Sequence, residues 1–398
     1  MSSTGERIIE NPSWVQRLGS SFKGILTGFV LFVAGIVLLF WNEGRAVDTS
    51  KRLKEGAAAV IEVAADQIDP ANEGKLVHVS GKANTQDVLS DGTFGISVTA
   101  LRLKRMVEIY QTVEYIEKVK EGEKTREVPK YKDEWCSKPV DSSQFRNPAK
   151  RAANPPADMR FASEDKIAPN VKLGAFRISD AHVKRIGGLV DFSFPTNYVA
   201  PASMKYEKGA RYVYMPVDSN ELKNKVAQFT GLSRSVAIQP KPGDLRISFK
   251  VLMPSDVSII HGQKDDALVP WTTPKGEVLE LMVSNGLVPA KAMFAKAQSA
   301  NDTLTWILRF VGILVMYFGL KGVLGPIDAL VDAIPILGRV VAMGTSLAAF
   351  LVASACGLLT IGFSWIYHRP WIGIPLVVVG VALLVMVFLK KKKPALAA

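Results

Sequence analysis

The side chains of this sequence that could carry chemistry are few and scattered. Its four histidines, His78, His182, His261 and His368, stand alone, and none forms an HExxH pair or another metal-ligand spacing. There is no GxSxG elbow for a nucleophilic serine, no glycine-rich phosphate loop and no paired-cysteine zinc spacing. His78, in LVHVSG, falls on the polar side of a predicted strand, where a solvated or hydrogen-bonded structural histidine is expected rather than a catalytic one. Cys136, beside Trp135, would be a nucleophile only if the fold brought a base to it. Cys356 lies inside an apolar run, a different medium, so no intrachain disulfide is expected. Asp328 and Asp332 share one side of a helix in GPIDALVDAIPILG, while Ile327, Leu330, Val331 and Ile334 recur at helical spacing on another. Two carboxylates alone do not make a metal site. The segment reads as an amphipathic helix at a membrane interface, and the sharper alternative is a carboxylate pair for an ion or a partner's basic patch. The expectation is a protein without enzymatic activity, cofactor or metal.

The elements that hold these residues divide sharply by hydropathy. Gly24 to Trp41 carries no charge, and as a helix its residues span roughly 27 Å, close to a bilayer's hydrocarbon core. Bulky Phe40-Trp41-Asn42 stands where a signal peptidase needs small residues, so an uncleaved anchor is expected over a cleaved signal. Val340–Tyr367 is uncharged throughout, and Trp371–Leu389 ends in Lys390, Lys391, Lys392 and Lys393. The span at 304–324 is weaker, because Arg309 and Lys321 interrupt it. Both can snorkel toward opposite interfaces, and a re-entrant or interfacial helix is the alternative. Trp41, Arg45, Arg309, Lys321, Lys390 and Lys391 are the expected interface anchors. Small residues crowd the third span, which makes it the candidate packed centre of a bundle, whereas a lone Gly24-x-x-x-Gly28 is attributed to chance.

Lys and Arg near the span ends put both termini in the cytoplasm. The expected chain is an integral membrane α+β protein with four transmembrane helices, one before and three after a large extracytoplasmic domain that is mixed α/β and strand-rich. Residues 1–21 form a cytoplasmic N-terminus, 22–41 the first helix and 42–303 the periplasmic or lumenal domain. Residues 304–324 form the second helix, 325–339 a cytoplasmic loop, 340–367 and 371–389 the last two helices, and 390–398 a basic tail. Inside the domain GDLRISFKVL alternates cleanly, with Leu245, Ile247, Phe249 and Val251 on one face. GKLVHVSGKA, GARYVYMPV and GGLVDFSFP also read as strands. The stretch from Arg105 to Trp135 fits a helix in its first half, but its β-branched residues and the turn at Glu121-Gly122-Glu123 favour a long two-stranded ribbon. The net charge of +12 comes without a basic helix, RNA-binding signature or finger spacing, so a membrane rather than a nucleic acid is the expected partner.

FWNEGRAV, NEGKLVHVSG, LRLKRMVEIYQTVE, GDLRISF, LVPW, ALVDAIP and the RP before the fourth span together resemble the LUMA family, also called transmembrane protein 43. The likeness runs from about residue 22 to 390 and matches the order of one span, a large domain and three spans. It implies a non-enzymatic protein with no catalytic residue to carry over. Animal members belong to the inner nuclear membrane and endoplasmic reticulum, are linked to lamins, emerin and envelope organisation, and self-associate, and ion conductance has been proposed for them. The tail KKKKPALAA lacks a terminal dilysine retrieval motif; the resemblance implies the inner membrane for a bacterial member, which is expected here, and the endoplasmic reticulum or inner nuclear membrane for a eukaryotic one. The expected function is a membrane scaffold organising protein complexes, with lipids, copies of itself and other membrane or envelope proteins as partners. The alternative is an ion channel or transporter subunit, against which stands the shortage of polar residues in the spans: Thr345, Ser346, Ser354, Thr360 and Ser364.

Overall fold

A computed structural model describes residues 5–9, 14–121, 124–156, 159–201, 204–206, 210–217, 239–331, 335–368 and 370–389. The chain divides into two compact units: a strand-rich one built mainly from residues 60–271 and 280–290, and a helical one built mainly from residues 12–59 and 291–398.

In the strand-rich unit the strands are β1 (Arg7–Ile9), β2 (Ile61–Val63), β3 (Leu76–Asn84), β4 (Val88–Asp91), β5 (Ile96–Thr99), β6 (Arg102–Glu121), β7 (Lys124–Cys136), β8 (Glu164–Ile167), β9 (Val171–Leu173), β10 (Phe176–Ile178), β11 (Val190–Asp191), β12 (Tyr212–Met215), β13 (Leu245–Leu252), β14 (Ser255–Lys264), β15 (Ala267–Val269) and β16 (Met282–Asn285). The first sheet runs β1-β7-β6-β13-β11, with β12 also on β13 and β8 also on β6. The expected ribbon is its longest feature: β6 and β7 pair antiparallel from Ile109–Cys136 to Glu121–Lys124. The alternation of β13 has its expected consequence. Leu245, Ile247 and Val251 lie opposite Ile109, Val107 and Leu103 of β6, and all six are buried. Period-two pairing puts matched apolar side chains on one face and leaves Arg246, Ser248 and Lys250 on the other.

The second sheet folds back on itself. Its pairings β3–β14, β14–β15, β15–β10, β10–β9 and β9–β3 make a closed circuit, with β2 and β16 attached outside it. Closure leaves few free edges for unwanted pairing. One core runs through the unit, with Val77, Val79, Phe94, Phe176, Ile247, Phe249 and Ile259 among its fully buried members. A short helix, α2 (Asp180–Arg185), adjoins β10.

The helical unit contains α1 (Trp14–Ala59), α3 (Ala290–Val331), α4 (Pro335–His368) and α5 (Pro370–Leu389). Three of these are long and apolar enough to cross a membrane, over Gly24–Ala59, Ala290–Gly325 and Gly344–Ile366, and α5 contributes a shorter apolar stretch, Gly373–Leu383. The strand-rich domain therefore lies in sequence between the first and second candidate spans. The helix that begins α1 does not stop at Trp41, where the apolar run ends. It continues for 18 further residues to Ala59, and α3 likewise begins at Ala290 rather than near 304. Polar residues such as Glu, Arg and Lys propagate a helix well, so a change in hydropathy need not end one.

β1 pairs Ile8 with Arg126 of β7. A chain with residues 1–21 on one side of a bilayer and residues 42–303 on the other cannot make this pair, so the pairing and that topology exclude one another in a single inserted chain.

Candidate functional site

Glycines set the approach of α1 to α3. A Cβ at Gly28 would lie 2.5 Å from the Gly319 carbonyl oxygen, and one at Gly319 would lie 2.6 Å from the Phe32 nitrogen. Gly312 makes room for Leu39 in the same way, and Gly322 for Gly24 and Gly28. Residues low in α1 meet residues high in α3, so the two helices run antiparallel in backbone contact. The Gly24-x-x-x-Gly28 pattern attributed to chance is thus part of an interhelical seam, because α3 supplies matching glycines. The small-residue stretch of α4 also packs: Ala349, Ala353 and Ala355 are buried, and Gly362 faces Gly373 of α5.

At one end of this seam stands a polar cluster. Asn301, Thr305 and Arg309 recur every fourth residue along one face of α3. Against them α1 presents Asn42, Glu43 and Arg45. The Arg309 guanidinium donates two parallel bonds to Glu43, Nε to Oε1 at 2.6 Å and Nη2 to Oε2 at 2.7 Å. Trp365 of α4 donates its indole N–H to the same carboxylate. Glu43 is 1% exposed and Arg309 12%. The guanidinium also sits over two indole rings, 4.7 Å from the Trp306 centroid and 5.2 Å from that of Trp365. A bidentate pair with cation–π contacts on both rings is the geometry in which arginine binds strongly and lysine does not.

One turn further along, Asn42 donates to the Thr305 carbonyl at 3.1 Å, and Asn301 donates to the Ala46 carbonyl at 3.0 Å. Arg45 donates to Asn301 Oδ1 at 3.0 Å, Thr305 Oγ1 at 3.0 Å and Asn42 Oδ1 at 3.2 Å. Its buried Nε has no hydrogen-bond partner among the described residues. The cluster ties α1, α3 and α4 together through one carboxylate. Apart from the Arg45 Nε, its buried polar groups are paired with one another.

The expected anchors take different places. Trp41 is exposed. Arg45 and Arg309 turn into the cluster instead of extending singly toward an interface. Lys321 donates to Thr345 Oγ1 of α4 at 3.3 Å. Lys390, Lys391 and Asp332 lie outside the described residues. Asp328, Leu330 and Val331 fall in the last turns of α3, continuous with it rather than in a separate helix, and their side chains are likewise outside the description.

In the strand-rich unit the histidines are not solvated. His78 is bonded to the Val288 carbonyl at 2.9 Å and Ser80 Oγ at 3.2 Å. His182 and His261, isolated in sequence, meet at 3.0 Å between Nε2 and Nδ1. The Ser179 backbone N–H donates to Nδ1 of His182 at 3.1 Å, so the ring proton of His182 belongs on Nε2 and is donated to His261. The chain of donors suits two neutral rings. Burial lowers both pKa values to about 4; the neighbouring ring adds to this at His261, and Arg185 repels a charge on either. The Cys136 thiol is pushed up, first by burial and then by the charges of Glu134 and Glu108, the reverse of nucleophile activation. No group of three or more metal-ligating side chains occurs among the described residues.

The family model for transmembrane protein 43 matches residues 109–370, which include Arg309 and Trp365. Transmembrane protein 43 of Homo sapiens is 30% identical over 96% of this chain and 94% of its own length, and that of Pongo abelii is equally similar over the same shares. The Drosophila melanogaster homologue is 28% identical over 92% of this chain and 94% of its own length. No solved structure matches. On the matched length and on the identity over nearly the whole chain, this protein belongs to the transmembrane protein 43, or LUMA, family of membrane proteins.

Proposed function

We propose that the protein is a non-enzymatic multi-pass membrane scaffold, whose helices are locked to one another. The observation that carries this reading is the Glu43–Arg309–Trp365 cluster. It joins three helices through a buried, bidentate ion pair, which favours a fixed assembly over one that opens. In this reading α5 is a fourth span, both termini are cytoplasmic, and the domain lies across the membrane with other membrane or envelope proteins and further copies of the chain as its partners.

Flux measurements on the purified protein in liposomes test the scaffold against a channel. No ion flux above that of empty vesicles is expected; reproducible, selective flux would end the scaffold reading. The topology has its own test. In inserted protein, cysteines placed by Ile8→Cys and Arg126→Cys should not cross-link, and the one at position 8 should react with a reagent confined to the cytoplasmic side. Efficient cross-linking in the membrane would instead put residue 8 and the domain on the same side.

A further inference from the structure

We propose that the strand-rich unit carries a binding site for a small organic anion with an apolar body, at the end of the first sheet where β11 meets β13. A partly open cavity of about 550 Å³ lies there, lined among others by Asp191, Phe192, Phe194, Tyr206, Arg211 and Lys250. That volume falls within the several hundred cubic ångströms usual for small-molecule sites. Its wall is aromatic: Phe194 packs against Phe192 at 5.4 Å and Tyr206 at 5.0 Å between ring centroids.

The opening is cationic. Lys250 reaches Asp191 at 3.9 Å and Arg211 reaches the same carboxylate at 2.9 Å, so two cations share one anion. Lys250 also stands directly opposite Lys104 of β6, and like charges in that position oppose the pairing of strands. Beyond Lys104 the next partner is Asp165, but that carboxylate is already held by Arg102 in a bidentate pair at 2.6 and 2.7 Å. The row Asp165–Lys104–Lys250–Asp191, with Arg102 and Arg211 at its ends, therefore carries more positive than negative charge. A carboxylate or phosphate at the cavity mouth would offset the excess while its apolar body lay against the aromatic wall.

The test uses the full chain in nanodiscs of zwitterionic phosphatidylcholine and three water-soluble probes: 1-naphthyl phosphate, 1-naphthoate and uncharged 1-naphthol. Calorimetry or ligand-detected magnetic resonance should show saturable binding of at least one anion, with naphthol weaker by roughly tenfold or more. The tighter of the two anions identifies the head group, phosphate or carboxylate. Ala210→Trp, which fills the cavity without altering charge, should abolish binding. Arg211→Gln with Lys250→Gln should weaken the anions by a similar factor and leave naphthol unchanged. Equal binding of naphthol, binding that never saturates, or full affinity in the Ala210→Trp protein would each overturn the proposal. If the glutamine double variant unfolds, the Ala210→Trp and naphthol comparisons still decide it.

Discussion

Replacing Glu43 with Gln would leave the Arg309 guanidinium buried between two indoles without a counter-charge. Breaking one side of a buried pair costs about 3–5 kcal/mol, so Glu43→Gln should lower the unfolding midpoint in detergent sharply. Adding Arg309→Met should recover part of that loss, because the stranded charge is removed with its partner; additive losses would mean the two side chains do not act as a pair. The histidine pair has a pH consequence whose direction follows from its pKa values. An unfolded histidine takes up a proton near pH 6.5, while folded His182 and His261 resist until about pH 4. Between those values the unfolded state binds more protons. The pair's contribution is thus fully present above about pH 6.5 and is lost as pH falls toward 4, with a total on the order of a few kcal/mol. Denaturant titrations at pH 7 and pH 5 should show this difference in the wild-type domain and a smaller one after His182→Gln with His261→Gln. The residues of both features were visible in the sequence, but their partners were not. FWNEGRAV stood out as an exit motif, yet Glu43 and Arg309 are 266 positions apart, and His182 and His261 are 79 apart. No local pattern connects residues at such distances.

At the scale of elements, the α1–α3 seam should tolerate no side chain at its closest points. Gly319→Ala would drive a Cβ into the α1 backbone and should destabilise the helical unit by about 1–3 kcal/mol, the range for overpacking. Gly44→Ala is the control: nothing lies within 4 Å of a Cβ there, and alanine in place of a helical glycine should be neutral or stabilising by up to roughly 1 kcal/mol. Thermal stability of the two proteins in the same detergent compares them directly. β13 was legible because one of its faces is buried, and its alternation fixes which side chains face the core. β14 was not, because SDVSIIHGQK is buried on both faces along most of its length and so shows no period of two. The glycine seam was half legible: α1 displayed its motif, but a GxxxG acquires meaning only when a second helix presents its own gap.

For the whole molecule, the chain's two units differ in what stabilises them, and this can be measured. Residues 60–290 contain one apolar core and a closed strand circuit, so they should fold when expressed alone, giving a circular dichroism spectrum dominated by strand and a cooperative thermal transition. A spectrum of random coil would contradict that. The partition into an apolar helical part and a strand-rich part was plain from hydropathy, but the helices run beyond their apolar stretches, α1 on to Ala59 and α3 back to Ala290, because charged residues that propagate a helix read as loop or soluble domain when only hydropathy is used. The distance between Glu43 and Arg309 also has a consequence for biogenesis. At 5–20 residues per second, translation needs roughly 13–53 s to extend from one to the other. During that interval α1 has left the ribosome with the acidic residue that follows its apolar run unpaired. The nascent chain must therefore rely on headgroups, water or an insertion factor to shelter Glu43 until α3 arrives, and slowing or truncating synthesis between the two should leave the first helix exposed to quality-control proteases.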